Sequence, residues 1–513
     1  MITSAPRQGG TLFGLVIGIV IGVLAAVLVI PQRQDTVQTA GQSLAGGAAG
    51  SAAGTVAGGP AAAPGGVSPG APGTASAGGG TAGTAGAAGA GRSGSAAGPG
   101  APVAAAGQPG SGAAVASGSV RGVTPTVIRI GVAYPDISAL KALGPEYDNG
   151  DVKAQWQALL AGMKKARQLP IAGRTIEFVY RQYNVLDVND QNAACRGLIS
   201  DDKVFMVIGV AYFASGSDCV ARQFHTPLLT SDGPTDAELK AGAPYLFSLG
   251  WSDSRTLRNM VSWADRRGYL KGHKIGIYHL SDAASTREVD QNLVAPLRSL
   301  GYTVAARDAT DQSLGGPEDA VAVQKFRAAG VDLAILLTSK TGFLQQAQSQ
   351  GYKPKYLESD HEYGTSDTAA SNYPADQWDG TYAITDRIVG DTAAGKPSPA
   401  GAEACIRNYE AQSGDRVQRP ASSGHETAEY AYTLTSCDLG KVLLAALTAA
   451  GANLNATTFV NGLRTVRAMK LTRFETVDFT RRNDGASMQR TLQWRRRCTC
   501  WVAVTGFSGT FVP

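Results

Sequence analysis

This sequence of 513 residues is short of the features that would announce catalysis or nucleic-acid binding. It has only five histidines, no HExxH zinc motif, no Walker loop after a strand, and no GxSxG elbow within its last four hundred or so residues. These absences argue against an enzyme, and no cofactor or metal is implied. Charge of one sign is also scarce. Lys and Arg number 46 against 41 Asp and Glu, a net charge of +5 with both signs interspersed, so there is no basic footprint for nucleic acid. From residue 36 to residue 120 there is no aromatic residue and almost no charge. Such a stretch has nothing with which to bury a core. Cysteine is absent before residue 195, and all six lie from there onward. An even number behind an N-terminal apolar segment fits an oxidising, extracytoplasmic setting.

What is present divides the chain into parts. Residues 11–30 are uncharged and rich in Leu, Val and Ile, long enough as a helix to cross a hydrocarbon core of roughly 30 Å. Arg7 precedes them, while Arg33 and Asp35 cancel after them, which places the N-terminus on the cytoplasmic side and the bulk of the chain outside. An uncleaved single-pass anchor over 1–35 is expected, since the apolar core exceeds that of an ordinary signal peptide. No cysteine follows it closely, which excludes a lipid-modified cysteine. Residues 36–122 then form a Gly, Ala, Pro and Ser tether with a reach of roughly 50 Å as a flexible coil.

The folded part begins near residue 123. Short apolar runs at 127–132, 175–180 and 204–210 alternate with helical patterns at 151–167 and 190–200, and the alternation begins again at 274–280, 331–337 and 354–357. Strand–helix alternation predicts parallel, doubly wound α/β sheets, here in two lobes, because about 390 residues exceed what one core supports. Ligands on such sheets lie at the carboxyl ends of strands. There the sequence places Ala214, Ser215, Ser217 and Asp218, then Ser231, Asp232 and Thr235, then a polar loop over 281–287 with Asp282 and Ser285, and finally Asp360, His361 and Glu362. Residues 219–224 read as a helical turn capped by Ser217 or Asp218, which would leave backbone N–H groups and small hydroxyls facing one point where a carboxylate could sit. Tyr134, Tyr212 and Tyr363 are candidates to stack on a ligand. Arg495, Arg496 and Arg497 read as a charged edge-strand end.

IRIGVAYPD at 128–136, MVIGVAYFASGSD at 206–218, TPLLTSDGPT at 226–235, KIGIYHLSD at 274–282 and DLAILLTSKTGFLQQAQSQGYKPKYLESDHEYG at 332–364 carry a resemblance, joined by HETAEYAYTLTSCDLGKVLLAALTAAG at 425–451. Together they resemble the type I periplasmic binding proteins, specifically the branched-chain amino acid group of ABC-transporter substrate-binding proteins, over nearly all of residues 125–513. The resemblance implies two Rossmann-like lobes, over 123–244 with 386–474 and over 245–385 with 475–513. They would be joined by three crossing strands near 245–248, 381–385 and 475–478 and close by hinge motion on a small polar ligand such as an amino acid. It implies head-group contacts at Ser215, Ser231 and Thr235 and an ammonium partner near His361 or Glu362; Tyr134, Ala214, Asp232, Asp282 and Ser285 are further ligand candidates from their place on the loops. The family's frequent Tyr-Gly pair is replaced here by Ala283, Ala284, Ser285 and Thr286. It further implies a disulfide Cys195–Cys219; Cys405 and Cys437 would be the next pair, and Cys498 and Cys500, separated only by Thr499, could bridge in a strained ring or bind something. The expected partners are a small-molecule ligand, an ABC permease and the membrane; a tethered sensor or scaffold would use the same cleft.

Overall fold

The computed structural model describes residues 120–510 apart from 142–143, 312–314 and 393–394. The expected membrane span and nearly all of the tether lie outside the described residues. Five parallel strands, β1 (Val127–Asp136), β2 (Thr175–Asn184), β3 (Met206–Gly209), β4 (Leu228–Thr230) and β5 (Leu246–Ser248), form a first sheet in the order β2-β1-β3-β4-β5. Its register sets Ile130 beside both Phe178 and Met206. The second sheet contains β6 (Ile275–Leu280), β7 (Val304–Thr310), β8 (Leu333–Leu336), β9 (Lys355–Ser359), β10 (Tyr382–Thr385), β11 (Met488–Arg495), β12 (Cys500–Ala503) and β13 (Ser508–Gly509). Its order is β12-β11-β10-β9-β8-β6-β7, with β13 paired to β11; the pairs from β6 to β10 are parallel and those of β11 antiparallel.

Every residue of β3 and of β8 is buried, as an apolar run without alternation requires when helices cover both faces of a sheet. On the first sheet the helix Val152–Lys165 turns Trp156 and Met163 inward and is capped by Asp151, whose carboxylate accepts from the Ala154 N–H. The helix Ala428–Ala450 is long and apolar enough to span a bilayer, yet Leu439, Val442, Leu443 and Leu447 are in the core. Its buried Asp438 accepts from the backbone N–H groups of Thr472 and Arg473, so it is an internal helix of the fold.

Three expectations change. Residues 246–248 pair with β4, so they belong to the first sheet, and a second-lobe boundary at 245 falls one strand early. The expected polar loop 281–287 is helical from Ala283 onward, because Asp282 accepts from the N–H groups of Ala284 and Ser285 and starts the helix Ala283–Val289. The turn at 219–224 is not capped by Ser217 or Asp218; the helix begins at Ala214, and those residues lie inside it.

The two sheets are connected through three segments that touch one another. Trp251, just after β5, donates its N–H to Asp386 Oδ2 at 2.7 Å and its indole N–H to the Ala486 carbonyl at 3.1 Å. Asp386 and Arg387 follow β10, and Arg387 bridges Phe474 in the third segment. Buried Arg255 and Asp484 pair at 3.2 Å in the same region.

Candidate functional site between the two sheets

The site begins with a turn that the apolar run of β3 cannot form by itself. Ala211 and Tyr212 both take left-handed backbone conformations, φ 47° and 58°, directly before the helix at Ala214. Two such residues swing successive amides toward one point, the geometry of an anion nest. The Tyr212 N–H donates to Asp232 Oδ1 at 3.2 Å and the Phe213 N–H to Asp232 Oδ2 at 3.1 Å. The carboxylate foreseen at this point is therefore the chain's own, and the amides are not free. The Ser215 N–H is also taken, by Gln191 Oε1 at 3.2 Å.

Asp232 reaches the second sheet as well. Tyr363, in the turn His361–Tyr363 after β9, donates its hydroxyl to Asp232 Oδ1 at 3.1 Å, and its ring centroid lies 5.5 Å from that of Tyr212. Tyr432, from the helix Ala428–Ala450, places its hydroxyl among the same groups. Burial raises the Asp232 carboxyl while the Phe213 amide, the Tyr363 hydroxyl and the Tyr212 amide oppose that shift; burial likewise lifts all three phenols above their ordinary value.

Two cavities flank this cluster. The larger, about 610 Å³, takes Tyr212 and Ser231 from the first sheet's loops, Thr338, Ser339, Lys340 and Tyr363 from the second's, and Arg387, Glu426, Tyr432 and Arg473 from the connections. The smaller, about 320 Å³, is lined by Ala214, Asp232, Thr235, Ser285 and His361 among others. The Tyr363–Asp232 bond thus stands at the boundary of the two. Both volumes suit a small organic ligand.

The structure divides the residues foreseen from sequence. Ala214, Asp232, Thr235, Ser285 and His361 meet around the smaller cavity, and Ser231 lines the larger. Thr235 also caps the helix Asp236–Ala241 in a reciprocal box with Glu238. Asp282 is a helix cap, and Tyr134 stands edge-on to Tyr180 at 6.4 Å; neither they nor Ser215 line either cavity. Glu362 lies outside the described side chains. His361 is no cation: burial, aided by the nearby Lys340 charge, lowers its ring to about 3. Lys340 itself pairs with buried Glu358 at 3.0 Å.

Sequence reasoning missed Glu426 and Arg473, which lie in connections, Tyr432, which lies in the helix Ala428–Ala450, and Arg387, two residues past the end of β10. It also missed Thr338, Ser339 and Lys340, whose signal was available: they follow the apolar run of β8, and Ser339 adopts φ 45°. The cysteines join as Cys195–Cys219, Cys405–Cys437 and Cys498–Cys500. Among the described residues no group of three or more His, Cys, Asp or Glu is placed to hold a metal.

Two α/β sheets whose strand-end loops enclose cavities between them define a two-lobed solute-binding architecture. A family profile described as periplasmic binding protein matches residues 127–494, and the chain belongs to that family, whose members bind solutes without transforming them. Among solved structures it is similar to a fatty acid ABC transporter substrate-binding protein from Thermomonospora curvata, at 18% identity and TM-score 0.57, covering 77% of this chain and 95% of that one. It is also similar to an R. palustris solute binding protein in complex with 4-hydroxybenzoate, at 15% identity and TM-score 0.57, covering 75% and 97%. A leucine binding protein from Thermotoga maritima matches at 14% identity and TM-score 0.54, covering 74% and 99%. No curated protein matches the sequence.

Proposed function

We propose that this chain is an extracytoplasmic solute-binding protein that captures a small polar ligand, an amino acid or a related small acid, between its two lobes and delivers it to an ABC permease. One observation carries the reading: hydroxyl and aromatic side chains from the strand-end loops of both sheets converge on one cavity of about 610 Å³ beside the connecting segments. Solved relatives of this fold carry names for leucine, fatty acid and hydroxybenzoate binding, which supports a small acid as ligand. An N-terminal anchor and long tether would hold the binding lobes near the permease at the membrane surface. The test is a thermal-shift screen of the full chain with amino acids, amides and small aromatic and aliphatic acids. A midpoint that rises with ligand concentration, as mass action requires, supports the reading, and the absence of a shift from every compound opposes it. Gene deletion then separates transport from sensing. Lost uptake of the bound solute means import, whereas unchanged uptake with a lost response means a tethered sensor.

A further inference from the structure

The charged side chains of the larger cavity are unequally occupied. Its acids are Glu146, Asp367 and Glu426, and each has a partner. Glu146 accepts from the Asn372 amide at 2.8 Å, Asp367 accepts from the Trp501 and Glu426 N–H groups at 2.7 and 3.1 Å, and Glu426 pairs with Arg473 at 2.6 Å. Of its cations, Lys340 is held by Glu358 and Arg473 by Glu426. Arg387 differs. Among the described residues its side chain makes no hydrogen bond, and its buried Nε has no acceptor. Its nearest carboxylate oxygen, Asp386 Oδ1, is 3.9 Å away.

Nor are the nearby carboxyls free to turn toward it. Asp360 already accepts from the Thr365 and Thr385 hydroxyls and the Asp386 N–H, and Asp386 accepts from the Trp251 N–H. The guanidinium carbon lies over two rings instead, 5.4 Å from the Tyr363 centroid and 6.0 Å from that of Phe474. Contact with the ring faces uses none of its N–H donors and leaves them for something else. A planar fork of donors with 20% of its side chain still exposed, on a cavity wall, is the arrangement that recognises a carboxylate.

Resting on the solute-binding reading, we propose that Arg387 is the anion-binding group of the larger cavity, and that its ligand is an organic carboxylate without an ammonium group, not an α-amino acid. The second half follows from the acids: an ammonium would find every carboxylate on the cavity wall already engaged, whereas a carboxylate finds one cation with spare donors. Tyr212, Tyr363 and Leu186 on the same wall favour an apolar or aromatic body.

The test is calorimetric titration of the full chain with isocaproate, which is leucine without its amino group, with leucine and isocaproamide, and with benzoate and benzamide. At least one of the two amine-free acids binds, isocaproate about tenfold or more tighter than leucine and each acid about tenfold or more tighter than its amide. Arg387→Gln, folded by circular dichroism, loses at least about tenfold in acid affinity, and Arg387→Lys recovers part of it. Leucine or either amide binding as tightly as the amine-free acid overturns the proposal, as does an unchanged acid affinity in Arg387→Gln. No binding of either acid by the parent chain also overturns it; if another solute then shifts the melting midpoint, the solute-binding reading stands without it.

Discussion

At the scale of single residues, the site is organised by carboxylates the chain supplies to itself. Asp232 accepts from two backbone amides and the Tyr363 hydroxyl, three donors converging on one carboxyl group. Asp232→Asn would turn an NH₂ group toward one of those donors, so it is expected to cost about 1–3 kcal/mol in urea unfolding; an unchanged midpoint would show that the nest does not hold the loop. Asp386 gives a pH-dependent prediction. Burial, reinforced by neighbouring Asp360, pushes its carboxyl up to about 8 from an ordinary 3.8. Between those values the native chain holds a proton that the unfolded chain has released, so this group's contribution to stability falls as pH rises from about 4 to about 8. Asp386→Asn mimics the protonated form, accepting from Trp251 and donating toward Asp360. It should flatten that part of the stability profile, and urea midpoints at about pH 5 and about pH 9 read the difference. A profile equally steep in both proteins would remove Asp386 as its cause.

At the scale of elements, the strands were legible because their residues leave no choice. An unbroken run such as Leu333 to Leu337 forms a strand covered on both faces, and β8 lies within it, as β3 lies within 204–210. Helix starts were less legible, since Asp282 reads equally as a ligand group and as a cap until the amides of Ala284 and Ser285 are seen to reach it. The site was legible only in part, for a related reason. Sequence identifies a strand-end hydroxyl or carboxylate but not whether it is already satisfied. The bond joining Tyr363 to Asp232 spans 131 residues, and Arg387 is conspicuous only once Lys340 and Arg473 are seen to be paired elsewhere. The disulfides also act on elements. Cys195–Cys219 ties the helix Val188–Arg196 to the turn Cys219–Gln223 across 24 residues, whereas Cys498–Cys500 closes only two. The chain-entropy argument then predicts a loss of about 3–4 kcal/mol for the double substitution Cys195→Ser, Cys219→Ser, and about half of that for Cys498→Ser, Cys500→Ser. Guanidinium unfolding of the two variants checks the order, and a reversal would mean that the short bridge supports the β11–β12 hairpin by contacts and not by chain entropy.

At the scale of the molecule, the question is what holds the lobes together before a ligand arrives. On the hinge side the contacts Trp251–Asp386 and Trp251–Ala486 lie within the connecting segments themselves, so they turn with the hinge and do not oppose its opening. Across the cleft the Tyr363–Asp232 bond joins a second-sheet loop to a first-sheet loop, and the Asn372–Glu146 bond does so nearer the surface. A hydrogen bond to a half-buried carboxylate contributes about 1.5–3 kcal/mol, enough to shift an open–closed equilibrium by roughly ten- to a hundredfold. Tyr363→Phe keeps the ring that covers Arg387 and removes only the hydroxyl. The ligand-free variant is therefore expected to populate the open form, with a larger radius of gyration in small-angle scattering than the parent chain. Saturating ligand should return it to the parent's closed value, because binding supplies the closure energy that the hydroxyl supplied. Its apparent affinity should fall by the same factor as its closed population. An unchanged radius without ligand would locate the closing contacts elsewhere, and a lower affinity with an unchanged radius would make the Tyr363 hydroxyl a ligand contact and not a latch.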